Sequence, residues 1–389
     1  MQTDLMAKFP GVRDGWARFD GPAGTQMVDE AIDATAAWSR SGNNANSHGE
    51  FPQAHACDDL IESARATVGE FLNADSQGVM FGANMTTMTM AFTRAVAHTL
   101  SPGQRLVGTF LDHDANVNPW RLAAQDAHGE HIQASFDGWT GRLDPQRVIE
   151  LITPNTAWVA VTGASNLVGS LTDLPPIIEA AHTRGARVFV DAVALAPHRR
   201  IDITALGCDA LATSPYKWYG PHAGVLWVKP ELRDSLVRYR VRPAEASGPS
   251  SMETGTASYE GISAVKAAAR FLMNQGMDNV ERYEMDVFAT LLGGLQGIDG
   301  VRVVGPPTLD GRVPTVSFVV DGIHADEVAC HLAHDKIAVW SGSSYAVGIT
   351  EKLGLDPHGG VTRAGVVRYI TTDDVDRLLH SVRELAKTR

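Results

Sequence analysis

Two stretches decide how this chain reads: VFVDAVALAPH (188–198) and ATSPYKWYGPHAG (212–224). Each begins as a run of small and β-branched apolar residues, and each leads to one ionisable group where the chain must turn. Asp191 ends the first run, and Lys217 lies in a tight, aromatic, Gly/Pro-rich turn just past the second. Runs this apolar suit strands buried on both faces, as in a parallel sheet flanked by helices. Ligands of such sheets sit outside the carboxyl ends of the strands, so residues just past each strand are the functional candidates.

Outward from these stretches the same pattern repeats. Further β-rich runs lie at 78–83, 105–110, 131–136, 156–163 and 224–229, with helical patterns between them, for example at 86–100 and 173–184. The alternation predicts an α/β fold with a large, mostly parallel seven-stranded sheet. After Lys229 the pattern changes. Helices are expected at 258–275 and 278–295, a Gly/Pro-rich break at 305–311, a strand at 315–320 and a helix at 324–336. A strand near 366–370 and an amphipathic final helix at 373–387 complete the chain. The expected domains are a large one over 16–257 and a smaller α/β one over 258–389, completed by the N-terminal segment 1–15.

Composition agrees with two unequal domains. The chain has 389 residues, 44% hydrophobic and 20% charged, a length at which single cores divide. Lys and Arg total 33 against 45 Asp and Glu, a formal charge of -12. Without a basic block, such a chain is a poor partner for nucleic acid or an anionic membrane. No window approaches the length of apolar residues that spans a bilayer. The first residues (MQTDLMAKFPGVRDGW) lack the basic start and apolar core of a secretory signal. Cys57, Cys208 and Cys330 are far apart and odd in number, which favours a reducing compartment, the cytoplasm. No HExxH or Cys/His spacing is present, so no metal site is expected.

Asp191 and Lys217 at one sheet edge have two readings. One is a structural salt bridge, and on spacing alone it leads. The other is a site for pyridoxal phosphate, which needs a lysine amine for a Schiff base and an acid beside its ring nitrogen. The stretch Gly82-Ala83-Asn84-Met85-Thr86-Thr87 follows a strand and opens a helix. Small residues there let backbone N–H groups and a Thr hydroxyl hold a phosphate, although Thr86 would equally serve as a helix N-cap. Ser214 reads as a second phosphate hydroxyl or as a strand-end turn residue.

Taken together, the motifs resemble the class V aminotransferase family of fold-type I pyridoxal-phosphate enzymes, and within it the cysteine desulfurase-like branch. They run in order along nearly the whole chain: GPAGTQ (21–26), FGANMTT (81–87), DHDANVNPW (112–120), ASNLVG (164–169), VDAVALAPH (190–198), SPYKWYGPHAG (214–224), ETGTASYEGI (253–262) and TRAGVVRYITTDDVDRL (362–378). The resemblance implies a homodimer with shared active sites acting on a small amino acid. It implies that Lys217 carries pyridoxal 5'-phosphate as a Schiff base and moves protons, that Asp191 pairs the ring nitrogen and that His113 stacks on the ring. Asn166 would reach the phenolic oxygen or the substrate. Asn84, Met85, Thr86, Ser214 and Tyr216 would hold the phosphate, joined by Thr256 from the other subunit. Arg363 would grip the substrate carboxylate, a task suited to a planar guanidinium.

Three departures from the desulfurase pattern bear on the reaction. The loop that carries the sulfur-accepting cysteine there is AVWSGSSYAVG (338–348) here, with Tyr345 about where that cysteine would stand. Cys330, on an expected helix, and Cys208 read as inert packing residues. Ala194 replaces a polar residue near the phenolic oxygen, and Tyr216 precedes the lysine where desulfurases often have His; His198 or His222 would be substitutes for that imidazole. The loop 42–49 (GNNANSHG) is a candidate to reach an active site. The expected activity is transfer or a related reaction at the α-carbon. The alternatives are a lyase, with C–S lyase or cysteine desulfurase-like activity without a persulfide cysteine, and a non-catalytic protein that binds the cofactor.

Overall fold

The structure, a computed structural model, describes residues 5–388. Seven strands build the large sheet: β1 (Val79–Gly82), β2 (Arg105–Thr109), β3 (Glu130–Ala134), β4 (Thr156–Thr162), β5 (Arg187–Asp191), β6 (Ala210–Thr213) and β7 (Gly224–Val228). Their order is β1-β7-β6-β5-β4-β2-β3. Only β7 is reversed, running antiparallel to β1 and β6. Thr162 of β4 pairs with Asp191 of β5, which pairs with Ala212 of β6. This register brings the carboxyl ends of the three central strands level, where a ligand sits in such sheets.

Both faces of the sheet are covered, which explains the apolar runs. On one face Phe92, Trp120, Trp158 and Phe189 are buried and meet edge-on or tilted at centroid distances of 5.4–6.1 Å. Burying each side chain contributes roughly 1.5–3 kcal/mol, and the aromatic geometry makes the packing specific. The opposite face is part of a larger core shared with the helices that follow, Tyr259–Gln275 and Met277–Gln296.

The smaller sheet is antiparallel, built from β8 (Val301–Val304), β9 (Thr315–Val320), β10 (Trp340–Gly342) and β11 (Val361–Gly365) in the order β10-β11-β9-β8. The strand expected near 366–370 is a correction: the strand is β11, five residues earlier, and Val366–Ile370 is a buried non-strand segment. Thr362 and Arg363 break the apolar run of β11 although both are buried, so it does not look like a strand. The apolar residues after it pack in the core without pairing. The final helix, Thr372–Ala386, opens on a capping box in which Thr371 and Asp374 satisfy each other's backbone N–H groups, as such boxes do. Ala17–Arg18 pairs in parallel with Ile337–Ala338. Among the described residues no helix is long and apolar enough to cross a membrane.

Candidate active site

A cleft of about 510 Å³ opens where the carboxyl ends of β4, β5 and β6 meet the N-terminus of helix Met85–Ala97. Asn84, Met85, Thr86, His113, Asn166, Asp191, Ser214, Tyr216 and Lys217 all line it. Nine of the residues singled out from sequence therefore share one space. Two do not line it. Arg363 is buried behind Asn166, with Nη1 donating to the Asn166 carbonyl oxygen at 2.8 Å. Thr256 is exposed, away from the cleft of its own chain.

Lys217 lies in a short 3-10 turn, Pro215–Lys217, clamped by the N-terminal GPAGTQ stretch. The Thr25 N–H donates to the Tyr216 carbonyl at 2.8 Å, and the Tyr219 N–H donates to Thr25 Oγ1 at 2.9 Å. Tyr219 adopts a left-handed φ of 68°. Its carbonyl accepts from Val28, and its hydroxyl donates to Glu284 and accepts from the Arg368 N–H. A strained backbone of this kind persists only where its surroundings over-determine it, and here they hold the lysine turn.

The Lys217 amine is buried, and burial, followed by the Arg363 charge, pushes it down to about 8 against the opposing pull of Asp191. An amine so lowered is still mostly protonated near physiological pH, but it carries a far larger neutral fraction than a free lysine, and that fraction can attack a carbonyl carbon. Asp191 accepts the Val193 N–H at 2.9 Å, and burial holds its carboxyl above the usual range. A cation beside it would reverse that shift, because an opposite charge favours the ionised form. Asn84 caps its helix by accepting the Thr87 N–H at 2.8 Å. The first-turn N–H groups of Met85 and Thr86, which have no carbonyl within the helix to bond, remain for an anion. Gly224 keeps this corner tight, since a Cβ there would lie 2.4 Å from the Asn84 carbonyl carbon and 2.8 Å from the Met85 nitrogen.

These residues fit pyridoxal phosphate on an observation of their own. Two buried polar atoms around the cleft, Asn166 Oδ1 and Arg363 Nε, have no hydrogen-bond partner among the described residues. Among the described residues Arg363 also has no carboxylate within ion-pair distance. Buried orphans of this kind are costly; a ligand carboxylate would satisfy the Arg363 Nε donor, and a ligand hydroxyl such as the cofactor's ring hydroxyl would satisfy the Asn166 Oδ1 acceptor.

His113 accepts the Ala115 N–H on Nδ1 at 3.0 Å, which leaves the proton of the neutral ring on Nε2. Burial, with Lys217 and Arg363 nearby, pushes its imidazole down to about 3. Because that value is below the ordinary 6.5, the unfolded chain takes the proton first on acidification. Wild type is therefore expected to lose stability relative to His113→Gln as pH falls from 6.5 toward 3, by at most about 1.4 kcal/mol per pH unit. Chemical denaturation at stepped pH checks this; parallel curves for the two proteins would contradict it.

Sequence reasoning missed Asp112. It is buried, accepts from Thr109 Oγ1 and from Asn116 Nδ2 (2.8 Å), and burial lifts its carboxyl to about 8, with Asp191 adding to the rise. At neutral pH it is mostly protonated, so Asp191 is spared a second full negative charge nearby. The signal was present in DHDANVNPW, where only His113 was read. His198 is buried against Glu284 at 2.7 Å, and His222 is exposed and stacked on Tyr216, so neither lines the cleft. Loop 42–49 also does not line it. Cys208 is buried, with its thiol pushed up to about 12, and Cys57 is buried too. Cys330 is a correction: it lies on helix Ala325–His334 as expected, but on the exposed face rather than in packing. Among the described residues no group of three or more His, Cys, Asp or Glu is placed to hold a metal ion.

Residues 18–378 match the family described as aminotransferase class-V. An uncharacterised protein of Mycobacterium tuberculosis is 30% identical over 392 residues, covering 97% of both chains. A probable cysteine desulfurase of Pseudomonas putida is 29% identical over 394 residues, covering 97% of this chain and 96% of that one. Among solved structures, the Escherichia coli cysteine desulfurase CsdA superposes with a TM-score of 0.89 at 25% identity, over 100% of this chain and 98% of the other. The apo cysteine desulfurase of Thermococcus onnurineus shares the fold with a TM-score of 0.92 at 24% identity, over the same shares of the two chains.

Proposed function

The chain belongs to the class V aminotransferase family, whose members are pyridoxal-phosphate enzymes, and on that premise we propose that it transfers the amino group of a small amino acid. The observation that carries this reading is the convergence of Lys217, Asp191 and a helix N-terminus on one cleft, beside a buried Arg363 with no carboxylate partner among the described residues. Bound there, pyridoxal phosphate supplies an electron sink for the pair released at the substrate α-carbon.

The chain's own residues divide the remaining work. Lys217 would hold the cofactor, and its amine would move the proton at the substrate α-carbon. Asp191 would keep the ring nitrogen protonated, and His113 would supply a face for the ring. The N–H groups of Met85 and Thr86, oriented by the Asn84 cap, hold the phosphate together with the Ser214 and Tyr216 hydroxyls. Thr256, exposed on its own chain, is assigned to the phosphate of a second copy in a homodimer. Asn166 orients the phenolic oxygen, and Arg363 receives the substrate carboxylate.

A second reading is a lyase that eliminates a β-substituent, C–S cleavage included. Its support is the resemblance to desulfurases, combined with cysteines that are buried (Cys57, Cys208) or on an exposed helix face (Cys330), none of them lining the cleft. Elimination needs no acceptor thiol. Incubating the holoenzyme with a panel of amino acids and an acceptor keto acid separates the two. The expected product is a keto acid, with the amine passed to the acceptor. Ammonia and sulfide from cysteine derivatives would move the assignment to the lyase. Absence of both product sets across the panel would overturn both readings.

A further inference from the structure

The loop between β10 and helix Val347–Leu353 takes no part in the reading above, yet it is bound to three parts of the cleft wall. The Asn166 Nδ2 group donates to the Ser344 carbonyl at 2.8 Å. The Asp114 N–H donates to the Tyr345 carbonyl at 2.8 Å. The Tyr345 ring stacks on the His113 imidazole with centroids 5.3 Å apart and planes 29° from parallel. Ser344 and Tyr345 both adopt left-handed φ, 49° and 59°. Two successive non-glycine residues rarely do so, and such strain persists only where specific contacts hold it.

Burial does not hold this turn, because Tyr345 is 71% exposed. What the ring gains is the face of His113, whose other contacts are the cleft and the Ala115 N–H. We propose that Tyr345 is a positioning residue: its aromatic face latches the Ser344–Tyr345 turn onto the cleft wall and fixes the His113 imidazole against the cofactor space. In this role the ring matters and the phenolic hydroxyl does not. The turn also engages one N–H of Asn166, so the latch restrains the amide assigned to the phenolic oxygen as well. The latch is a property of the protein without cofactor, so its test does not depend on which reaction is catalysed.

The test is chemical modification of the apoprotein with diethyl pyrocarbonate, which acylates neutral imidazole, with the rate at His113 followed by peptide mapping. In Tyr345→Ala the imidazole loses its stacking partner, and its rate is expected to rise about fivefold, the scale of one aromatic contact. Tyr345→Phe keeps the stack and is expected to restore the slow rate. Buried His198 serves as an internal control and should not change. Equal His113 rates in all three proteins would overturn the latch, as would a phenylalanine variant as reactive as the alanine one. A parallel rise at His198 would also overturn it, because Tyr345 would then support the fold as a whole rather than His113.

Discussion

Lys217→Met is expected to lower turnover by at least about 10³-fold, within the span that positioned proton-transfer groups supply, and to abolish the yellow colour of the reconstituted enzyme. Methionine fills a similar volume, so the cleft keeps its shape while losing the amine that holds the cofactor and moves the α-proton. A purified variant that stays coloured, or that keeps a tenth of its activity, would exclude Lys217 from this role. The same substitution carries a second, opposite effect. The Lys217 amine falls from 10.5 to about 8 because it is buried beside Arg363, so below pH 8 the folded protein bears the full cost of its charge. The difference in apoprotein stability between variant and wild type is therefore expected to shift in the variant's favour as pH falls from 10.5 to neutral. That shift should be lost as pH rises back toward 10.5. Stability lost at an active site in this way is common where function needs a poised group.

Arg363→Ala is expected to raise KM for amino acids by about 10²–10³-fold, the usual consequence of removing one partner of a buried, hydrogen-bonded charge pair. Burial lowers the guanidinium to about 10, yet it remains charged at neutral pH. Its Nη1 is committed to the Asn166 carbonyl while Nε has no partner among the described residues. Arg363→Lys should recover only part of the loss, because a point charge cannot reproduce a planar fork. The control is an amine without a carboxylate, whose weaker reaction should be insensitive to the substitution. If amines and amino acids suffer equally, Arg363 serves the structure of β11 rather than substrate.

Much of the fold was legible because sheet strands buried on both faces announce themselves as apolar runs, as β4 to β7 do; the partly exposed edge strand β3 was found from its place in the strand–helix alternation. β11 was missed for the converse reason. Its Thr362 and Arg363 are polar but buried, and the apolar residues that follow pack without pairing. Asp112 was passed over because, in a linear reading, an acid beside a histidine looks like a solvated turn. Only its enclosure by Thr109 and Asn116 makes it a neutral acid under the cleft. Cys330 shows the same limit, since a helix has two faces and its short local pattern did not say which one the thiol occupies.

By itself the sequence determined which residue types could perform the chemistry: an amine and a carboxylate at adjacent strand ends, a small-residue turn opening a helix, and no cysteine on the loop of Tyr345. Those are local facts, set by backbone periodicity and by what each side chain can donate, accept or become. The tertiary structure alone decided that the site residues share one cleft, that Arg363 lies behind Asn166, and that the Tyr345 ring rests on His113. Burial depth, ionisation and stacking depend on atoms brought together from distant parts of the chain, and no local pattern encodes their distances.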